Sequence, residues 1–526
     1  MDMLRKMTIC YTIWTLIMLR IGAGSVQINS PRAVFHLVRE KYLQKQIGSI
    51  AEISRNGLHD TEQDTSIIKV ENKVWNHSDV SHLIKKSRRQ ADGGDNKVAF
   101  YVVLSTDVAD LGDDQTIPFD QVILDEGNAF DTVFHAFACP VTGVYLFRSA
   151  LMCEANSHIE TEVVKDGFPF FRMYSSGIKT SYQYDQGFNS GITECEMNQR
   201  VWVRVNGNLG TSVRHLFTTF SGFLLWETGA SQTAVSTNAN SINVAFHSYL
   251  GKNINDLESK QTIPFDKLLL NEGDGYENNT RHEFTCPVDG IYMFQSSVFS
   301  NFGAIETEIV KDGDQFVRIY AAASGESNLQ HDQGFNAGII HCNKGQNVWV
   351  QARQGASIMQ YQYTTFSGYL MWAIEEASAI PEKAGRAHDM DPTQVVFHSY
   401  LSTGVASIGE KLTVPFDKVS VNEGSGFDIG FHTFICPVNG IYVFQSAIMV
   451  NASQIETDIV KNESSFSNMF AGVGNYFDQG YNSGIVNCSF NERVWVWVGS
   501  PTGTSINYHN TTTFSGFLLW GNTGQK

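Results

Sequence analysis

Residues 137–147 read Phe-Ala-Cys-Pro-Val-Thr-Gly-Val-Tyr-Leu-Phe, and this stretch decides the fold. Its Pro and Gly mark a bend, because proline cannot donate to a β-ladder and glycine tolerates unusual backbone angles. In the strand that follows, Tyr145 and Phe147 fall on one face, while Val144 and Leu146 fall on the other. Both faces are apolar, which predicts an interior strand covered by a second sheet and by a further layer such as a neighbouring subunit.

The same stretch returns at residues 284–294 and 434–444, within a longer segment that occurs three times. Each copy also carries an Ile/Val-Pro-Phe-Asp turn, an Ile-Glu-Thr-acid strand, Asp-Gln-Gly, Val-Trp-Val and a closing Phe-Ser-Gly-aromatic-Leu. Self-similarity of this kind indicates a repeated module, and 526 residues suit three or four domains at roughly 150 residues each. Short apolar runs separated by turn residues, without a long helical pattern, predict a β-sandwich or jelly roll.

These motifs resemble the globular head domain of complement C1q. The resemblance implies an all-β chain of three tandem ten-stranded jelly-roll β-sandwiches, of the C1q and tumour necrosis factor superfamily. It also implies assembly as trimers. Tandem copies without a collagen stalk look most like invertebrate members of the family, many of which are lectin-like or matrix proteins.

The copies and their flanks give the predicted domain organisation. The chain divides into a signal peptide (1–24), an amino-terminal segment that is a candidate propeptide (25–90), domain 1 (91–226), a linker (227–243), domain 2 (244–372), a second linker (373–394) and domain 3 (395–526). The linkers are rich in Ala, Ser, Thr, Asn and Gln and long enough to join neighbours in a compact trimer. Two arrangements stay open: an intrachain pseudo-trimer, or three heads that each assemble with other chains.

The amino-terminal sequence predicts export. A basic start, an apolar stretch and small residues resemble a signal peptide, and nothing after it has the apolar length of a membrane span. The sequence Lys-Ser-Arg88-Arg89 predicts proprotein processing, against the alternative of a solvated basic linker. Six glycosylation sequons agree with a secreted, extracellular protein; they begin at Asn76, Asn278, Asn451, Asn462, Asn487 and Asn510. The formal charge of −17 disfavours nucleic acid as a partner.

Six cysteines fall as one pair in each copy. Regular pairing in an exported protein predicts one disulfide per module, although buried thiols remain the alternative. The candidate pairs are Cys139 with Cys195, Cys286 with Cys342, and Cys436 with Cys488. Cys153 is left over, and its strand parity favours a small core residue over an interchain link.

Repeated acidic residues are the candidates for metal or ligand binding. Two carboxylates two residues apart on a strand project from one face and could supply oxygen ligands to calcium, although such a pair is often only a solvated face. The pairs are Glu160 with Glu162, Glu306 with Glu308, and Glu456 with Asp458. The aspartates of the Asp-Gln-Gly motif, which are Asp185, Asp332 and Asp478, are predicted to hold a turn, with a glycan site as the alternative.

No motif for catalysis is present, since phosphate loops, metalloprotease helices and serine elbows are all missing from the sequence. We therefore expect a non-enzymatic protein. Two functions compete: multivalent, lectin-like recognition of glycans or microbial surfaces, or an extracellular matrix or adhesive role with contacts to collagen, mineral or calcium. The absence of strongly biased tracts favours recognition. The expected partners are glycans or extracellular proteins.

Overall fold

In the computed structural model, the described residues are 68–70, 73–75, 97–154, 157–177, 184–207, 211–228, 242–323, 331–354, 357–374, 394–451, 453–472, 477–500, 504–508 and 510–521. Residues 1–94 and 95–526 form two separate units. The predicted signal peptide, the processing site at Arg88 and Arg89, Asn76 and most of both linkers lie outside the described residues.

The first unit contains one described hairpin. Strands β1 (Ile68–Val70) and β2 (Lys73–Trp75) pair antiparallel. The second unit contains the three repeated copies, and all of its described regular structure is β-strand. Within the described residues, no helix has the length and apolar character needed to cross a membrane.

Domain 1 contributes twelve strand segments: β3 (Ala99–Val103), β4 (Val108–Leu111), β5 (Gln121–Glu126), β6 (Phe130–Asp131), β7 (Ala136–Ala138), β8 (Gly143–Cys153), β9 (His158–Lys165), β10 (Phe168–Ser176), β11 (Asp185–Cys195), β12 (Arg200–Val205), β13 (Thr211–Val213) and β14 (Thr219–Glu227).

Domain 2 contributes β15 (Ala245–Leu250), β16 (Ile254–Asn255), β17 (Lys267–Glu272), β18 (Tyr276–Glu277), β19 (Glu283–Thr285), β20 (Gly290–Lys311), β21 (Asp314–Ala323), β22 (Asp332–Cys342), β23 (Asn347–Gln354), β24 (Ser357–Ile358) and β25 (Tyr361–Ala373).

Domain 3 contributes β26 (Val396–Tyr400), β27 (Val405–Ile408), β28 (Lys418–Glu423), β29 (Phe427–Asp428), β30 (Thr433–Ile435), β31 (Gly440–Asn451), β32 (Gln454–Lys461), β33 (Ser464–Gly472), β34 (Phe477–Cys488), β35 (Arg493–Ser500), β36 (Thr504–Ile506) and β37 (Thr513–Gly521).

Each domain consists of two facing antiparallel sheets. In domain 1 the inner sheet has the order β5-β3-β14-β8-β11, with the short strands β4 and β13 added at one end, and the outer sheet has the order β10-β9-β12-β7-β6. Domain 3 repeats both orders, and so does domain 2, where β20 is long enough to run through both sheets. Five main strands in each sheet give the ten-stranded jelly roll that the sequence predicts.

Aromatic side chains fill the space between the two sheets of each domain. In domain 1, Phe100 stacks on Phe137 with 4.5 Å between ring centroids and meets Phe220 edge-on at 4.9 Å. In domain 3, Phe397 makes the same contacts with Phe434 and Phe514. Rings of this size bury large apolar areas, so these repeated contacts stabilise each sandwich independently.

A second kind of core lies between the domains. Val144 and Leu146 turn away from the domain 1 core and pack with Ile291 and Met293 of domain 2 and Val443 of domain 3. The predicted strand with two apolar faces is therefore confirmed. The layer that covers its second face comes from the other two copies in the same chain.

Candidate functional site

The Asp-Gln-Gly motif of each copy lies at the start of an inner-sheet strand, where the three domains meet. The carboxylates of Asp185, Asp332 and Asp478 are almost completely buried, and one oxygen from each lies within 4.8 Å of the others. These residues come from β11, β22 and β34, which are equivalent strands of the three domains. Positions almost 150 residues apart in sequence thus form one acidic cluster on the pseudo-threefold axis.

Each aspartate is also held by a backbone donor of its own domain. Asp185 Oδ2 accepts a hydrogen bond from the Ser176 amide at 2.6 Å, and Asp478 Oδ2 accepts one from the Gly472 amide at 2.6 Å. Asp332 Oδ2 makes the same contact with the Ala322 amide at 2.5 Å. The aspartates therefore tie the end of one strand to the start of the next. The predicted turn role concerns these hydrogen bonds within each domain. It does not include the convergence of the three side chains between domains.

The glutamine that follows each aspartate binds the neighbouring domain. Gln333 Oε1 accepts from the Tyr174 amide of domain 1 at 2.8 Å, and its Nε2 donates to the Arg172 carbonyl at 3.0 Å. Gln479 binds domain 2 in the same way, and Gln186 binds domain 3. The amide side chain pairs with a strand as another backbone segment would, and all three glutamines are buried. These contacts fix the positions of the aspartates.

The glycine of the motif is required by close packing. A β-carbon at Gly187 would lie 2.0 Å from the Tyr174 carbonyl oxygen, and the equivalent β-carbons at Gly334 and Gly480 would meet the same obstacle. No side chain tolerates this distance without movement of the backbone. The glycine therefore brings strands β10 and β11 close enough for the aspartate to reach its amide donor.

Below the aspartates, three aromatic rings close the axis. Phe188, Phe335 and Tyr481 contact one another with ring centroids 4.6–4.7 Å apart. All three rings are buried in the core between the domains. Each ring lies on the same strand as an aspartate, so this apolar core lowers the effective dielectric on one side of the acidic cluster.

The acidic cluster has the chemistry of a divalent cation site. At 4.8 Å and an effective dielectric of 20, each pair of ionised carboxylates repels by about 3 kcal/mol. The fold holds the three aspartates together through separate hydrogen bonds and the Gln contacts, and a bound cation would offset this repulsion. Calcium usually takes roughly six to eight oxygen ligands, which include carboxylates, carbonyls and water. Asp185, Asp332 and Asp478 would supply part of such a shell.

The predicted acidic pairs lie elsewhere, on the outer sheets facing the clefts between domains. Glu162 binds Arg172 at 3.0 Å and Arg204 at 2.6 Å, and Glu160 accepts a hydrogen bond from the Tyr363 hydroxyl of domain 2 at 2.7 Å. These local cations and donors already compensate the carboxylates of domain 1.

The other two pairs have comparable partners. Glu306 and Glu308 lie near Arg318, and Gln351 donates to Glu308 at 2.7 Å. Asp458 accepts from Trp497 at 2.8 Å. Glu456 accepts from Ser500 at 3.0 Å. Burial raises the pKa of Glu306 and Asp458, which their polar partners partly offset. Calcium binding by these pairs stays a prediction; among the described residues, the only acidic residues that converge in a group of three are the axial aspartates.

The six paired cysteines are joined within their domains. The structure contains the bonds Cys139–Cys195, Cys286–Cys342 and Cys436–Cys488. Cys153 is buried in the domain 1 core, and its Sγ accepts a hydrogen bond from the Gly177 amide at 2.9 Å. Each disulfide links the bend before the long inner strand to the far end of its partner strand.

The asparagines of five of the six sequons are among the described residues. Asn451, Asn462 and Asn487 are exposed, so their side chains are accessible to a glycan. Asn278 is half-buried and donates to the Asp266 carbonyl at 3.2 Å. Asn510 is also half-buried, and its carbonyl accepts from the Arg318 amide of domain 2.

Three jelly-roll domains, each with two five-stranded sheets, thus share one core within a single chain and resemble a trimer of separate domains. The C1q domain model matches residues 99–225, 245–371 and 396–519. The chain therefore belongs to the C1q domain family.

Curated relatives include the human complement C1q tumor necrosis factor-related protein 5, 33% identical over 111 residues, which cover 20% of this chain and 46% of that protein. The mouse complement C1q tumor necrosis factor-related protein 3 is 29% identical over 133 residues, covering 25% of this chain and 52% of that protein. The chain thus spans about half the length of the curated relatives that it matches. Among solved structures, the globular domain of zebrafish complement 1qA aligns with a TM-score of 0.22 and 16% identity, covering 24% of this chain and 99% of that one.

Proposed function

We propose that this chain is a secreted, non-enzymatic recognition protein that binds glycans or microbial surfaces through a complete trimeric head built from one polypeptide. The observation that carries the proposal is the core shared by the three domains, in which Phe188, Phe335 and Tyr481 meet on the axis. A rigid head presents three sets of surface loops in one fixed orientation. Three weak contacts held together can raise apparent affinity by about 10²–10⁴.

The axial aspartates are the proposed site at which a cation affects the rigidity of this head. Calcium bound by Asp185, Asp332 and Asp478 would offset most of their mutual repulsion at this position on the axis. The glutamines that follow the aspartates join the three domains at the same position. Cation binding is therefore proposed to stiffen the head where the three aspartates meet.

Secretion is supported by the disulfides as well as by the amino-terminal sequence. Three intradomain bonds form and persist in oxidising compartments. The absence of a catalytic motif in the sequence supports a binding role, and the relatives named above suggest the same class of protein.

Two measurements test the assembly and the binding. Light scattering of the purified secreted protein should give the mass of one chain, whereas a stable particle of three chains would contradict the single-chain head. A panel of glycans, bacterial polysaccharides, collagen and calcium carbonate, with and without EDTA, then tests recognition. Saturable binding to particular carbohydrates supports the proposal, while binding to collagen or mineral alone would assign a matrix role.

Two matched variants test whether binding depends on a cation at the axis or only on the surface loops. Asp332→Asn keeps the size of the side chain and one acceptor oxygen but removes one of the three axial charges and one of the two hydrogen bonds accepted from the Ala322 and Gln333 amides. If calcium organises the head, this variant should lose the EDTA-sensitive part of binding. The variant Asp312→Asn, which alters an exposed aspartate of the same domain, should retain it.

A further inference from the structure

The three clefts between neighbouring domains are not equivalent. In the first cleft, between domains 1 and 2, Tyr363 packs with Phe299 and Tyr174, and its hydroxyl donates to Glu160. Tyr363 stands directly before Thr-Thr-Phe-Ser-Gly. The phenol ring therefore fills this cleft and caps its carboxylate.

The second cleft, between domains 2 and 3, lacks this ring. The residue directly before Thr-Thr-Phe-Ser-Gly in domain 3 is Thr511, whose side chain is far smaller. A cavity of about 260 Å³ lies here, and Thr511 lines it together with Tyr320 and Met449. Ligand sites usually begin near 300 Å³, so this volume suits a molecule no larger than a monosaccharide or an amino acid.

Charged groups of domain 2 form the polar wall of the cavity. Arg353 Nε lies 3.2 Å from Glu306, and half of its side chain is exposed at the mouth. The Arg318 side chain is 11% exposed, yet its ion pairs to Glu306 and Glu308 are long, at 3.5 and 3.8 Å. In the first cleft the pair equivalent to Arg318–Glu308, which is Arg172–Glu162, is shorter, at 3.0 Å. Arg318 Nε donates to Gln315 at 2.8 Å, so the donor capacity that remains for an added acceptor is on the terminal nitrogens of the guanidinium.

The surroundings favour an anion more than a cation. Burial lowers the pKa of Arg318, and the positive charge of Arg353 lowers it further. A second, polar cavity adjoins the first, shares Arg353 and adds Lys260. Three cationic side chains thus face two carboxylates across the joined cavities. A carboxylate is the planar anion that matches the fork of a guanidinium.

We propose that the cleft between domains 2 and 3 binds a small organic acid whose carboxylate contacts Arg318 and Arg353. Hydroxyl or ammonium groups of the same molecule would donate to Glu306, and its carbon skeleton would lie against Tyr320 and Met449. A sugar acid and an amino acid both have this chemistry. The site belongs to one cleft and does not depend on the recognition of larger surfaces proposed above.

Calorimetric titration of the full secreted chain tests the site, with glucuronate and glutamate as carboxylate probes and glucose as the uncharged control. One carboxylate probe should bind saturably with one site per chain, and glucose should not bind. The preferred probe identifies a sugar acid or an amino acid as the ligand type. Absence of binding by both carboxylate probes at millimolar concentrations would overturn the proposal.

Two variants locate the bound probe. Thr511→Tyr introduces the ring that fills the first cleft and should weaken binding at least about tenfold, while Thr511→Ser should not. Arg353→Gln should also weaken binding by about tenfold, as expected for loss of a charge-assisted hydrogen bond. Unchanged melting temperatures would show that these variants fold. Equal affinity in Thr511→Tyr and the unmodified protein would place the probe elsewhere and refute the assignment.

Discussion

Replacing Arg148 with glutamine is expected to stabilise the three-domain unit. Arg148 lies on β8 and is 2% exposed, and among the described residues its guanidinium has no carboxylate partner and faces the buried hydroxyl of Tyr369. Its charge faces the Phe223 ring at 5.5 Å. Domains 2 and 3 carry Gln295 and Gln445 at the equivalent position, each donating to a strand-neighbour serine at 3.1 Å.

The expected gain is about 2 kcal/mol. An unpaired buried cation costs several kcal/mol of lost hydration, which the neutral side chain removes. A glutamine at position 148 would also gain a hydrogen bond of about 1 kcal/mol with Ser221, the serine that pairs with this position on β14. Loss of the cation–π contact and of side-chain volume would cost about 3 kcal/mol together.

Urea unfolding followed by tryptophan fluorescence measures this difference, because a stability change shifts the midpoint at constant slope. Gln295→Arg is the reciprocal control and should destabilise the unit by adding a second buried cation. An unchanged or lower midpoint for Arg148→Gln would refute the reasoning. It would mean that a buried anion or ordered water compensates Arg148.

Three further changes test the axis and the contacts between domains. Asp332→Asn should raise the melting temperature in EDTA, because it removes repulsion of about 3 kcal/mol from each neighbouring carboxylate, and it should abolish the rise that calcium gives the unmodified protein. Gly334→Ala should lower the unfolding free energy by more than about 3 kcal/mol in urea titrations, since its β-carbon would lie 2.0 Å from the Tyr320 carbonyl oxygen. Burial lowers the pKa of His247 and His398 from 6.5 to about 4. For His247, a hydrogen bond to a backbone carbonyl offsets only part of this shift. Both imidazoles stay neutral in the folded protein down to about pH 4, whereas in the unfolded chain they are protonated below pH 6.5. Their contribution to the free energy of unfolding is therefore complete above pH 6.5 and is lost as the pH falls towards 4, by about 2 kcal/mol each at pH 5. Melting temperatures measured from pH 7 to 4.5 should show this loss, and His398→Gln should reduce it.

Much of the fold could be predicted because its signals are local. Bend residues and alternating apolar side chains identify the long inner strand, and its three occurrences identify the domains. Regular spacing also pairs the cysteines, as in Cys139–Cys195. The second apolar face of β8 predicts a further layer, and the structure supplies it from the other domains.

The candidate site was harder to predict because its parts are far apart in sequence. Asp185 precedes Gln-Gly, which is a common turn pattern, and nothing local indicates that equivalent aspartates from three domains meet. Glu160 and Glu162 attract attention as a pair on one face, yet the sequence does not show that Arg172 lies on the adjacent strand. Strand periodicity gives the face of a side chain. It does not give the partner that covers this face.

The three copies can carry different residues at equivalent positions because they are joined in one chain. In an assembly of three identical chains, any substitution occurs three times, so Arg148 would place three cations on the axis and Tyr363 would fill every cleft. A single chain can carry one arginine beside two glutamines, and one open cleft beside a closed one. The repeated Asp, Gln and Gly positions are the same in all copies because all three must meet at the axis. The clefts involve only two copies each, so each can differ without disturbing the others, and this is where a distinct binding specificity is expected to develop.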